Sequence, residues 1–269
     1  MNMFLIDNAY IIRLGSFALV FIVMALWENT VPRRSLKASK STRWFNNLSI
    51  TFLSSLAVKL VFPITATGVA LTARNAGFGI LNIMGASSIP GGFIAIIALD
   101  LVIYAQHILF HKMPIFWRLH RMHHTDLDID VTTGSRFHPI EILLSMLLKM
   151  AAIVLIGAPA WSVLAFEVLL NATSMFNHSN VFLNPGIDRV VRLFVVTPDM
   201  HRVHHSVIIQ ETNSNYGFNL PWWDRLFGSY KDQPLRGHEA MTIGLANYRD
   251  TKYLTLHWML VIPFLKTER

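Results

Sequence analysis

His120-Arg121-Met122-His123-His124 and His201-Arg202-Val203-His204-His205 repeat one spacing, His-x-x-His-His, at two distant places in the chain. His107-x-x-x-His111 lies just ahead of the first. Eight of the twelve histidines fall in these three short clusters. At that frequency one His-x-x-His-His is expected by chance with a probability of roughly 0.02, so its repetition reports chemistry. On a helix, residues three and four apart share a face. The spacing therefore predicts that each cluster offers two or three imidazoles to one point in space. Imidazole suits iron, zinc, copper or nickel. Eight histidines exceed the six positions of an octahedral ion, which predicts two metal ions sharing a site.

The composition around these clusters is that of a membrane protein. The chain is 53% hydrophobic and 14% charged, against about a quarter charged in a soluble domain. Its net charge of +7 is grouped beside apolar stretches, which points to positive-inside topology and anionic lipid rather than nucleic acid. The absence of cysteine excludes disulfides, thiolate-ligated haem and Fe–S clusters. No basic segment precedes the first apolar run, so no cleaved signal peptide is expected.

Apolar stretches at 10–27, 48–73 and 93–110 read as spans, the second carrying Lys59 inside it and Pro63 as a kink. Between the first two, Arg33, Arg34, Lys37, Lys40 and Arg43 form a basic segment without an acid, expected as a solvated cytoplasmic loop held by anionic headgroups. The Gly-rich stretch 74–92 lies on the opposite side. Segments 140–156 and 161–176 flank Gly157-Ala158-Pro159-Ala160 and read as a hairpin dipping in from the cytoplasmic side. Asp126, Asp128 and Asp130 read as a solvated turn, because the Gly and closing Glu of a calcium loop are absent. A short apolar helix flanked by Arg189 and Arg192 is expected to lie in the interface, and another over 254–265, too short to span, to lie on the membrane or pack against the protein. Trp222 and Trp223 are interfacial anchors or part of a lid. Every histidine cluster falls on the side of the basic loops, so the fold class is an all-α polytopic membrane bundle with a cytoplasmic-side, histidine-rich helical metal site.

Other polar residues follow the same helical spacing. Asp100, Tyr104, His107 and His111 share a face. Two readings of Asp100 stand: it fixes the tautomer of a ligand histidine, or it pairs with Lys59. Glu167, Asn171, Ser174 and His178 share another face, expected to line a functional interior. His138, before Pro139, is a ligand-shell or capping residue. Thr197-Pro198-Asp199 is a cap and first turn for the 201–205 cluster, with Asp199 a possible outer partner of the metals.

The clusters and their neighbouring words, Arg118-Leu119-His120-Arg121-Met122-His123-His124, Arg136-Phe137-His138-Pro139-Ile140-Glu141, Phe176-Asn177-His178-Ser179-Asn180 and Trp223-Asp224-Arg225-Leu226-Phe227-Gly228, resemble the fatty acid hydroxylase / sterol desaturase superfamily of membrane-bound di-iron oxygenases. The resemblance covers roughly 95–230. It implies His178 as a ninth ligand beside His107, His111, His120, His123, His124, His201, His204 and His205. It implies two iron ions, O2 as co-substrate, a lipid substrate taken from the bilayer, and hydroxylation or desaturation of a C–H bond. No electron-carrier segment is visible, so a separate ferredoxin- or cytochrome-type donor is expected. The organisation expected is 1–92 for the N-terminal membrane helices and basic loop, 93–230 for the catalytic domain and 231–269 for an interfacial tail. In a bacterium the membrane would be the inner, plasma membrane. The ligands alone also suit a zinc hydrolase or isomerase, or a non-catalytic metal or haem carrier.

Overall fold

The structure is a computed structural model and describes residues 8–86 and 89–266. Helix α1, Ala9–Thr30, is followed by α2, Lys40–Val61, whose N-cap Ser39 accepts from the Thr42 N–H. Both have 22 residues, about 33 Å at 1.5 Å per residue, enough for a hydrocarbon layer of about 30 Å. Helix α2 starts at Lys40 rather than at Leu48, and it stops at Val61 instead of bending through Pro63. A proline has no N–H to continue the ladder and clashes with the preceding turn. The chain re-forms as α3, Ala66–Asn75, capped by Thr65. After one turn at Ile80–Ile83 come α4, Ile89–Lys112, and α5, Pro114–His124. Met113 between them is extended, as a residue before proline must be.

The expected hairpin forms from α6, Pro139–Ile156, and α7, Ala160–Asn177. It closes at Gly157, whose left-handed φ of 74° caps α6. A Cβ on Gly79, itself at φ 101°, would lie 2.4 Å from the Gly157 Cα. Only paired glycines let the 79 loop and the hairpin tip meet this closely. Short helices α8, Pro185–Val191, and α9, Pro198–His204, follow. Thr197 caps α9 through the Met200 N–H, as expected.

Among the described residues there is no strand, only two isolated bridges. Four segments are long and apolar enough to cross a membrane: Ala9–Thr30, the 40–83 stretch, Ile89–Lys112 and Pro139–Ile156. Helix α7 is not among them. It packs inside, where Val163 and Phe166 join Leu99, Ile103 and Ile153 in one core. The first two spans turn many large apolar side chains outward, among them Leu19, Leu26, Phe52 and Leu60, which fits lipid as their solvent.

At the other end of the bundle the loops form a buried polar layer. The acidic segment is not a solvated turn, and the basic segment is not a free loop. Asp126, Asp128 and Asp130 are at most 1% exposed, and Arg43 is at 0%. The Arg43 guanidinium donates to both oxygens of Asp126, at 2.7 and 2.9 Å, and to Asp130. Burial alone would raise the Asp126 pKa, but Arg43 more than reverses this and holds it at about 2. Asp128 accepts from the N–H groups of Lys37 and Ala38. Arg34 donates to the carbonyls of His238 and Met241. The acidic segment is satisfied by Arg43 and the Lys37–Ala38 backbone and is buried, whereas the basic segment buries only Arg34 and Arg43 and leaves Lys37 exposed and Lys40 partly so. Residues 254–265 pack against α5: Met259 and Ile262 bury with Met122, and Arg121 donates to the carbonyls of Ile262 and Leu265.

Candidate metal centre

Three helices and one cap converge on the buried layer. Helix α4 brings His107 and His111, α5 brings His120, His123 and His124, and α9 brings His201 and His204, with His205 at its C-cap. His178 stands at the C-cap of α7. These nine side chains fall into two groups that could each hold a metal ion. One is His107, His111, His120, His124 and His204; the other is His123, His178, His201 and His205. Within each group the ligand atoms lie within 4.8 Å of one another. The spacing led to the expectation that each His-x-x-His-His serves one point. Instead each is divided: His120 and His124 go one way and His123 the other, while His201 and His205 part from His204. Successive residues on a helix are turned by about 100°, whereas residues four apart nearly eclipse. One helical turn thus feeds two neighbouring centres.

The rings are oriented from behind. His107 Nδ1 donates to the Tyr216 carbonyl at 2.7 Å, His204 Nδ1 to that of Ser214 at 2.7 Å, His123 Nδ1 to that of Arg136 at 3.0 Å, and His178 Nδ1 to that of Ser174 at 2.7 Å. A carbonyl oxygen only accepts, so in these four rings Nδ1 carries the proton and Nε2 presents a lone pair. His120 Nδ1 lies 2.6 Å from a carboxylate oxygen of Glu141, and His111 Nδ1 lies 3.3 Å from the Asn213 amide oxygen. Asn215 makes the double anchoring by Ser214 and Tyr216 possible. It is the only described non-glycine at positive φ, 50°, and its side chain is tied to the carbonyls of Met200 and Lys231. Asp224 accepts from the N–H groups of Tyr216 and Gly217, fixing the same strap.

This orientation fits a cation. His107 and His120 bring their Nε2 atoms to 3.1 Å, and His123 and His178 theirs to 3.1 Å. In the His123–His178 pair, where both protons are held on Nδ1, lone pair faces lone pair. The Nε2 atoms of His111, His204 and His205 are buried with no hydrogen-bond partner. Burial first, and neighbouring imidazoles second, push His123, His124, His201, His204 and His205 well below their usual range. Burial brings His120 and His178 to about 3. All seven are therefore neutral near pH 7, the form a metal needs.

Several residues singled out by spacing lie elsewhere. Asp100 touches no histidine ring and does not pair with Lys59, which is exposed. It accepts from the Trp223 indole N–H at 2.8 Å and the Leu220 N–H at 3.3 Å, so Trp223 is a strut for the 213–229 strap. The carboxylate behind a ring is Glu141, a lone acid at the start of the apolar α6 run. His138 is a cap: its Nδ1 accepts from the Ile140 N–H. Asp199 pairs with Arg33 and Arg202. Glu167 does not line the histidine site but pairs with Lys149 at 2.9 Å and Arg13 at 2.6 Å. The anchoring carbonyls carry no signal in residue identity.

The fatty acid hydroxylase family model matches residues 92–229. An ornithine lipid hydroxylase of Rhizobium tropici is 28% identical over 221 residues, covering 79% of this chain and 65% of that protein. The alkylglycerol monooxygenase of Homo sapiens is 27% identical over 154 residues, covering 57% of this chain and 32% of that one. A Delta(7)-sterol 5(6)-desaturase of Eremothecium gossypii is 29% identical over 135 residues, 49% of this chain and 35% of that one. The chain thus spans from about two thirds down to a third of the length of these relatives. No solved structure matches it. The stretch that matches runs from α4 to the end of the strap, enclosing all nine histidines, and on that footing the chain belongs to the fatty acid hydroxylase family.

Proposed function

We propose that this chain is a membrane-bound oxygenase that hydroxylates or desaturates a C–H bond of a lipid. The observation that carries the reading is the pair of adjoining all-imidazole groups, buried and neutral, beside apolar spans. The names of the relatives, two lipid oxygenases and a sterol desaturase, point the same way. Two iron ions held by the nine histidines would supply the activation of O2. The chain's own part is to keep Nδ1 protonated, to aim Nε2 inward and to exclude water. In hydroxylation one oxygen atom enters the C–H bond. The other leaves as water, taking two electrons from a separate ferredoxin- or cytochrome-type donor and two protons from the solvent. A zinc hydrolase is less well served, because neither group contains a carboxylate to act as base and Glu141 is committed to His120. The basic residues from Arg33 to Arg43 lie at the histidine end, which by the positive-inside rule supports a cytoplasmic face for the site.

The test is metal content and O2 uptake of protein purified anaerobically in detergent. Two irons per chain, oxidised by O2, are expected. Zinc alone, with no O2 uptake after iron is supplied, would overturn the reading.

A further inference from the structure

Of the nine histidines, His111 is the most exposed, at 9%; His107 is at 3% and the others at 2% or less. His111 is also the one that lines a cleft, of about 810 Å³, between α4 and the 213–229 strap. That volume lies in the range of small-molecule sites, about 300–1,000 Å³. On α4 the cleft wall is Leu101, Ala105 and Ile108, leading to His111 and Lys112. These positions repeat at helical spacing along one face, so the wall runs about 16 Å along the helix axis, at 1.5 Å per residue. It begins in the middle of a membrane-crossing segment and ends at that segment's last residue. The deep end is walled by Leu101, Ala105 and Phe227, with the Tyr104 and Ser229 hydroxyls paired to each other. The end at the membrane surface carries the Lys112 ammonium and the Asn213 side chain, and no ion pair of Lys112 occurs among the described residues.

We propose that this cleft takes the chain of an amphiphile whose anionic headgroup, a phosphate or a carboxylate, sits at Lys112. In that orientation the hydrocarbon runs down past Ile108 and Ala105 into the bilayer. His111 is adjacent to Lys112, so the carbons beside the headgroup face the histidine site and the chain end does not. Oxidation then falls on the first few carbons after the headgroup. The choice of carbon rests on the oxygenase reading above; occupancy of the cleft does not.

Photolabelling in phosphatidylcholine nanodiscs tests occupancy without turnover. The probes are phosphatidylglycerol and a long-chain fatty acid, each with a diazirine either next to the headgroup or at the chain end. Head-end probes are expected to label Asn213–Tyr216, and chain-end probes to label Leu101 and Ala105. Ala105 is exposed, so Ala105→Trp fills the cleft without disturbing the core; labelling of the strap is expected to be lost. Ile97→Trp, on an exposed position outside the cleft, is expected to leave it unchanged. Lys112→Gln is expected to weaken head-end labelling roughly two- to fivefold, as for one exposed charge contact. The stronger of the two probes identifies phosphate or carboxylate as the headgroup. Chain-end probes labelling Asn213–Tyr216 in preference to head-end ones, or labelling of Asn213–Tyr216 indifferent to Ala105→Trp, would overturn the proposal. If the cleft labels as expected but the protein takes no iron and consumes no O2, the oxygenase reading falls and the lipid groove stands.

Discussion

Replacing Glu141 separates a metal-tuning role from a structural one. Its Oε1 lies 2.6 Å from His120 Nδ1, with the two side chains 4% and 2% exposed. His120 is the hub of its group, its Nε2 lying 3.1 Å from that of His107 and 3.2 Å from that of His124. A hydrogen bond to a charged group of this kind contributes about 1.5–3 kcal/mol. Loss of a carboxylate behind a ligating histidine lowers metal affinity about 10–100-fold, or about 1.4–2.7 kcal/mol, and the two ranges overlap. Glu141→Gln keeps an acceptor for the Nδ1 proton but removes the charge, so it should lie near the tenfold end. Glu141→Ala removes the acceptor, frees the ring and should approach a hundredfold. Without metal the sign changes. The second oxygen, Oε2, is buried with no hydrogen-bond partner, and a buried carboxylate satisfied on one side only is costly. Metal-free Glu141→Gln should therefore melt at or above the parent temperature. Competition against a chelator of known affinity, with cobalt or zinc as reporter in detergent, gives the first quantity, and thermal unfolding of stripped protein gives the second. Equal metal affinity in all three proteins, or Ala binding better than Gln, would refute the assignment of Glu141 as the partner that orients His120.

Arg43→Met should destabilise the protein by about 3–5 kcal/mol, because it leaves Asp126 and Asp130 buried without their cation; unchanged detergent stability would count against the buried network. Gly79→Ala should cost more than Gly77→Ala. Both need positive φ, which costs a residue with a Cβ about 1–2 kcal/mol in the left-handed region, but only at Gly79 does a Cβ meet backbone, at 2.4 Å, and equal melting temperatures would refute the close approach. Acid should unfold the metal-free protein progressively. His120 and His178 are held at about 3 by burial, whereas an unfolded imidazole titrates near about 6.5. Between those values the unfolded chain binds protons that the folded one refuses, so stability falls as pH drops from about 6.5 towards about 3; a melting temperature flat across that window would show that these rings are not buried and neutral.

The histidine spacing was enough to single out the residues that the fold gathers into the candidate site, because metal ligands must be particular side chains and helical periodicity sets which of them share a face. The apolar spans and the Gly157 hairpin were legible for a similar reason: each depends on residues close in sequence. What the sequence left open depends on partners far apart in it. The basic segment from Arg33 to Arg43 and the acidic segment Asp126–Asp130 each read as solvated when taken alone; folding sets Arg43 against Asp126 and Asp130 and buries all three, while Lys37 stays exposed. Asp100 follows the same helical spacing as His107, yet it serves Trp223, while Glu141 reaches His120 from another helix. The anchoring oxygens of Arg136, Ser174, Ser214 and Tyr216 belong to the backbone, which every residue has, so no residue type announces them. The sequence by itself determined which atoms can bind metal. Only the tertiary structure decided how they divide into two groups and what holds each ring in place, because those choices are made by contacts between segments rather than within them.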